Sequence, residues 1–182
     1  MRPSLVISPQ SLSEQERRIV AAWAADCAER VLPLFEAEAP SDERPRDAIA
    51  RARAYSRGEL DTADQIRRRF IAGRAAASVT SAAAVAAARS AAQASGVGHM
   101  GAHALGAAAY AVRAVSISDP TRVDAELDWQ LEHMSAEVRD ALRLLPPVGE
   151  DSAGPFAAGG LLSRGVLGST IRMLQSGLAT GR

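Results

Sequence analysis

The chain has little with which to do covalent or redox chemistry. Its 182 residues include one cysteine, Cys27, so no disulfide forms within it. Aromatic residues make up only 4%, and alanine supplies most of the apolar character instead. Neither sign of charge is in excess, with 21 basic against 21 acidic residues and a pI near 6.8. A general nucleic-acid or membrane-surface binder carries a basic excess, which is missing here, although a local basic patch stays open. No apolar run reaches the roughly 18 residues that a spanning helix needs. The alanine-rich middle is weakly hydrophobic and is interrupted by Arg74 and Arg89. The opening MRPSLVISPQSL has no long apolar segment and no small-residue cleavage site, so it does not read as a secretory signal. A cytoplasmic protein is expected. There is no Walker loop, no GxSxG, no glycine-rich dinucleotide turn and no HExxH. No cofactor is implied.

What is present is helical periodicity. Ser13 and Glu16 have the spacing of a capping box. Ile19, Trp23, Cys27, Val31 and Phe35 then recur at about four residues and predict one buried stripe, which Pro33 should kink or end. A second helix has Pro45 in its first turn, Ile49, Ala52 and Tyr55 inward, and Gly58 as its stop. Asp61 or Thr62 caps a third, running through Ile66, Phe70 and Ala77. A fourth covers AAAVAAARSAAQA, and Gly96 and Gly98 separate it from a fifth. Asp119 with Pro120 opens a sixth, and Ser135 a seventh that Pro146 and Pro147 terminate. Strand-like alternation of useful length is missing. The predicted fold is therefore all-α: a compact bundle of about seven helices built from antiparallel helical hairpins. The bundle spans residues 1–147. Residues 148–160 read as a linker, and 161–182 as a C-terminal helical extension or mobile tail with Leu162, Val166, Ile171 and Leu174 in a weak pattern.

Few residues invite a chemical reading, and each has a structural one beside it. His99 and His103, four apart, suit two imidazoles on one helical face holding a metal, with Asp26 or Glu132 as further donors. The structural alternative is a polar contact between helices, because neutral histidine both donates and accepts. Gly101 and Gly106 signal a neighbouring backbone or a ligand passing close by. Asp26 and Arg30 are spaced to pair along the first helix. Cys27 lies on the apolar stripe and reads as a buried, inert thiol. Arg44, Arg46, Arg51, Arg53 and Arg57, with Arg67 to Arg69, could bind an anion or face solvent.

Several stretches together resemble a known family. WAADCAERVLPLFE (23–36), RPRDAIARARAYSRGE (44–59), HMGAHALGAAAYAVRA (99–114) and WQLEHMSAEVRDAL (129–142) are similar to the fifth-immunity-like group of immunity proteins from bacterial polymorphic toxin systems. The similarity covers about residues 20 to 142. It implies an all-α bundle that neutralises a toxin by binding it. Trp23, Asp26, Cys27, Arg30, Arg44, Pro45, Arg46, His103 and Tyr110 fall on that family's recurring positions. No active site comes with the resemblance, and the balanced charge leaves the toxin class open.

Three functions are compatible with these residues. One is a protein-binding immunity module whose partner is a cognate toxin or another protein. The second is a ligand-binding protein or enzyme with an Asp/Arg/His pocket for a small anionic ligand. Its candidate residues are Trp23, Asp26, Arg30, Arg44, Arg46, His99, His103 and Tyr110. The third is a homo-oligomer joined through the tail. Position discriminates among them: convergence of His103, Asp26 and the arginines of RPR on one cavity favours the second, and scatter favours the others.

Overall fold

Helix α1 (Glu14–Glu29) begins where its capping residues put it. Ser13 Oγ accepts from the Glu16 N–H at 3.2 Å, and Glu16 Oε2 accepts from the Ser13 N–H at 2.7 Å. Both of these backbone donors would otherwise be orphaned. The computed structural model describes residues 7–181. The first six residues of the stretch read for a secretory signal, and Arg182 of the tail, lie outside them. Trp23, Cys27, Val31 and Phe35 are buried as the periodicity predicts, and Val20, Ala21, Ala24, Ala25 and Ala28 widen the stripe.

The helices number more than seven because two of those predicted are broken. The first ends at Glu29, and Pro33 falls in the opening turn of α2 (Leu32–Glu36). A proline there forfeits no hydrogen bond, so Pro33 starts a new helix and does not kink the old one. After α3 (Arg44–Ser56), which turns out at Gly58 with φ +79°, the third predicted helix splits at Arg69 and Phe70. The pieces are α4 (Thr62–Arg68), capped by Asp61, and α5 (Ile71–Ala75). Gln65 takes the inward position in α4, donating to the Arg51 carbonyl at 3.4 Å. The break lets Ala72 and Ala75 bury against the next helix. It leaves Phe70, expected in the stripe, 60% exposed beneath the Arg69 guanidinium.

At the centre lies the antiparallel pair α6 (Ala82–Gly96) and α7 (His103–Ser118). Its contact surface is almost wholly methyl groups: Ala84, Ala87, Ala88, Ala91, Ala104, Ala107, Ala108 and Ala111 are inaccessible to solvent. Each buried carbon contributes only about 0.8 kcal/mol, so cohesion comes from many contacts at close backbone approach. Two polar contacts cross the pair, one from Ser90 Oγ to the Ala107 carbonyl at 2.7 Å and one between Gln93 and His103. The glycines make room for neighbouring side chains. A Cβ on Gly101 would meet Leu12 Cδ1 at 2.5 Å. One on Gly106 would meet Gln93 Oε1 at 2.2 Å.

On one side of this pair pack α1, α2, α3 and α5. Against α7 also pack α8 (Val123–Glu132) and α10 (Gly165–Thr180), and α9 (Ala136–Arg143) is held between α1 and α10. Helix α10 lies along α7 and α9 and buries Leu167, Ile171, Leu174 and Leu178, while Val166 faces solvent. Before it, Asp151 and Ala157 form an isolated β-bridge, and no strand forms among the described residues. Phe156 within this loop is fully buried. The inaccessible Gln10 side chain holds the loop, donating to Asp151 Oδ2 at 2.6 Å and the Ala153 carbonyl at 2.8 Å and accepting from the Phe156 N–H at 2.9 Å. No described helix is long and apolar enough to cross a membrane.

Candidate functional site

The most elaborate polar constellation joins α1 to α8. Trp23 is buried and its indole N–H donates to the Gln130 carbonyl at 3.0 Å. Seven residues on, along the same face of α1, Arg30 Nε donates to both Glu126 oxygens at 3.1 and 2.9 Å. Glu126 is 4% exposed, so its charge is tolerable only because the guanidinium forks onto it. Gln130 Nε2 adds a donor to the same carboxylate at 3.3 Å and another to the Ala108 carbonyl at 3.1 Å. The Arg30 guanidinium also lies 3.8 Å from the Trp129 ring, which stacks on His133 at 3.9 Å. Arg30 and Glu126 edge a cavity of about 250 Å³ closed by Val31, Pro33 and Arg122.

The expected Asp26–Arg30 pair does not form. Arg30 is drawn across to Glu126, and Asp26 pairs with Arg53 of α3 at 2.7 Å. Arg53 also binds Glu29 at 2.6 Å, and its hydrogen bond holds that carboxyl below the usual range. Arg44 forks onto Asp42 at 2.8 and 2.6 Å and keeps its carboxyl down at about 2. Arg46 forks onto Glu36 at 2.7 and 2.8 Å. Arg51 and Arg67 share Asp64, and Arg57 takes Glu59. Carboxylates of the same chain thus occupy Arg44, Arg46, Arg51, Arg53, Arg57, Arg67 and Arg68, whereas Arg69 donates to the Ile66 carbonyl. Among the described residues, the cleft that holds His99 and His103 is not lined by Asp26, Arg44 or Arg46.

His99 and His103 do approach each other, but not as neighbours on a helix. His99 lies in the turn before α7, and His103 is that helix's first residue. Both border a cleft of about 380 Å³ with Arg69, Phe70 and Gln93. His103 Nδ1 is 2.8 Å from Gln93 Oε1, an acceptor, so Nδ1 carries the proton and Nε2 is left with its lone pair. Burial, with His99 and Arg69 nearby, pushes the His103 imidazole down to about 4. Burial also lowers His99, assisted by Arg69 and Arg17. Among the described residues no three His, Cys, Asp or Glu side chains converge as a metal site would require.

Cys27 is fully buried, and desolvation followed by the Glu126 charge raises its thiol well above the ordinary value. It is therefore no thiolate nucleophile at neutral pH. Tyr110 is buried on α7 at a separate cleft, described below. Glu126, Gln130 and Gln93 carried no expectation from the sequence, and Arg53 was expected only as one of a basic cluster, without its acidic partners. The one available signal was the i, i+4 spacing of Glu126 and Gln130 around Trp129, which places polar groups on one helical face.

Residues 10–137 match the family model described as Imm-5 like putative immunity protein. The chain belongs to that family. The match takes in the Gln10 anchor, α1 to α8 and the first two residues of α9, so the whole Trp23–Arg30–Glu126–Gln130 constellation falls inside this immunity-protein region. No curated protein and no solved structure matches the chain.

Proposed function

We infer that this Imm-5 like chain works by binding a partner protein, a cognate toxin, and blocking it without turnover. The observation that carries the reading is the occupation of its ionisable residues. Asp26, Glu29, Glu36, Asp42, Asp64 and Glu126 are each tied to an arginine, which takes these six carboxylates out of acid–base work. Charges arranged this way rigidify the helices and present a surface of mixed sign. Such a surface gives an interface its register and selectivity. Membership of an immunity-protein family supports a protein as the partner.

A second reading rests on one specific feature, the His99–His103 cleft. A neutral imidazole with a free Nε2 beside Arg69 suits a small anionic ligand and proton transfer. Co-expression with candidate toxin domains separates the two. Binding expects protected growth and a co-eluting complex, both unchanged in H103N. Protection that vanishes in H103N while the complex persists would favour the histidine cleft.

A further inference from the structure

Every one of the 21 basic residues is an arginine, and almost every described one has a partner. Arg74, Arg89, Arg113 and Arg122 alone lack a side-chain hydrogen bond or ion pair among the described residues. Two of the four border one cleft. Ala82, Val85, Ala86 and Arg89 fall at i, i+3, i+4 and i+7 along α6 and form one wall. Tyr110 and Arg113, three apart on α7, form the other, and Leu161 lies at the rim of a space of about 410 Å³. The alanines leave the floor open between two exposed guanidinium groups. Tyr110 is only 3% exposed, yet its hydroxyl has no hydrogen-bond partner among the described residues.

The acidic group nearest in the hydrogen-bond network is already engaged. Glu38 accepts from the Thr80 N–H and hydroxyl at 2.5 and 2.8 Å and from the Ser81 N–H at 3.1 Å. It uses up the Thr80 donors without reaching Arg89 or Arg113. Two like charges facing one cleft repel each other, and an anion between them relieves that cost. A guanidinium offers paired N–H donors that match the oxygens of a carboxylate or phosphate.

We propose that the α6–α7 cleft bearing Arg89, Tyr110 and Arg113 is an oxyanion-binding subsite that takes a carboxylate or phosphate group. It stands independently of toxin binding, since a toxin could engage another face and leave the subsite intact. The test is a nitrogen-15 NMR titration of the whole chain, following the arginine Nε–H signals and the Tyr110 ring. Inorganic phosphate and acetate are the probes. Saturable shifts of Arg89, Arg113 and Tyr110 are expected at millimolar probe. In R89Q/R113Q, binding should weaken by at least about tenfold, the loss of charge-assisted bonds, with unfolding temperature unchanged because both side chains are exposed. R74Q and R122Q are the controls and should bind as the unmodified chain does. A response to phosphate alone assigns the subsite to phosphate groups; a response to acetate as well fits an acidic side chain of a partner. The proposal is overturned if neither probe gives a saturable shift, or if R74Q and R122Q weaken binding as much as R89Q/R113Q.

Discussion

Replacing Arg30 by methionine strips the buried Glu126 carboxylate of its counter-charge and keeps most of the bulk. Removing one partner of a buried pair costs about 3–5 kcal/mol. Two features of this site reduce that figure. The Arg30 side chain is 29% exposed, so some water reaches the gap. Gln130 Nε2 also still donates to the carboxylate. Loss of the guanidinium over Trp129 adds about 0.5–1 kcal/mol. The expected cost of R30M is therefore about 3 kcal/mol, or a fall of about 6–12 °C in unfolding temperature for a chain of this size. The double variant R30M/E126L removes both charges and should recover to within about 1 kcal/mol of the unmodified protein, since an apolar pair of similar volume replaces an ion pair at little cost. Urea unfolding followed by circular dichroism measures all four corners of the cycle. If R30M costs less than about 0.5 kcal/mol, or if the double variant costs the sum of the singles, the pair does not join α1 to α8 as described.

Three further perturbations have signed outcomes. The folded His103 lies at about 4 against an ordinary 6.5, so the unfolded chain takes up its proton first. Its contribution is therefore intact above pH 6.5 and lost as pH falls toward 4, by up to about 3 kcal/mol; urea midpoints of H103N, which keeps a donor for Gln93, should fall less over that window. In G106A the new Cβ displaces Gln93 from His103. Overpacking of about 1–3 kcal/mol outweighs a helix gain of at most about 1 kcal/mol, so the variant should be destabilised, and adding Q93A should reverse the sign. Cys27 should react with a thiol reagent only as fast as the chain unfolds, and labelling of the native protein within seconds would contradict its burial.

What the sequence disclosed, it disclosed through local rules. Ser13 and Glu16 form their capping box because that motif needs nothing beyond four residues of chain. The alanines of 82–94 and 104–111 advertise close packing through size alone, whereas Gly106 is small because the Gln93 and Leu162 side chains come close, not the backbone or ligand expected there. Phe70 escaped the pattern because a stripe cannot show that the helix beneath it breaks. Arg30 was assigned the wrong acid because proximity along a helix is visible in a sequence, whereas Glu126, 96 residues away, is brought near only by the fold. Gln10 and Phe156 were invisible for the same reason: a polar residue near the start and one aromatic in a glycine-rich stretch meet only after everything else has packed. The family resemblance, carried by whole stretches, held over residues 10–137.

The central claim is that this immunity-family chain acts as a stoichiometric binder whose charges are spent on its own architecture. The most direct measurement titrates the purified chain against a fixed amount of an active toxin domain that it binds and follows the toxin's activity. The account expects activity to fall linearly, to reach zero at a fixed molar ratio, and to stay constant with time at every ratio below it. Complete inactivation by a small molar fraction of the chain, progressing with time, would show turnover and contradict it.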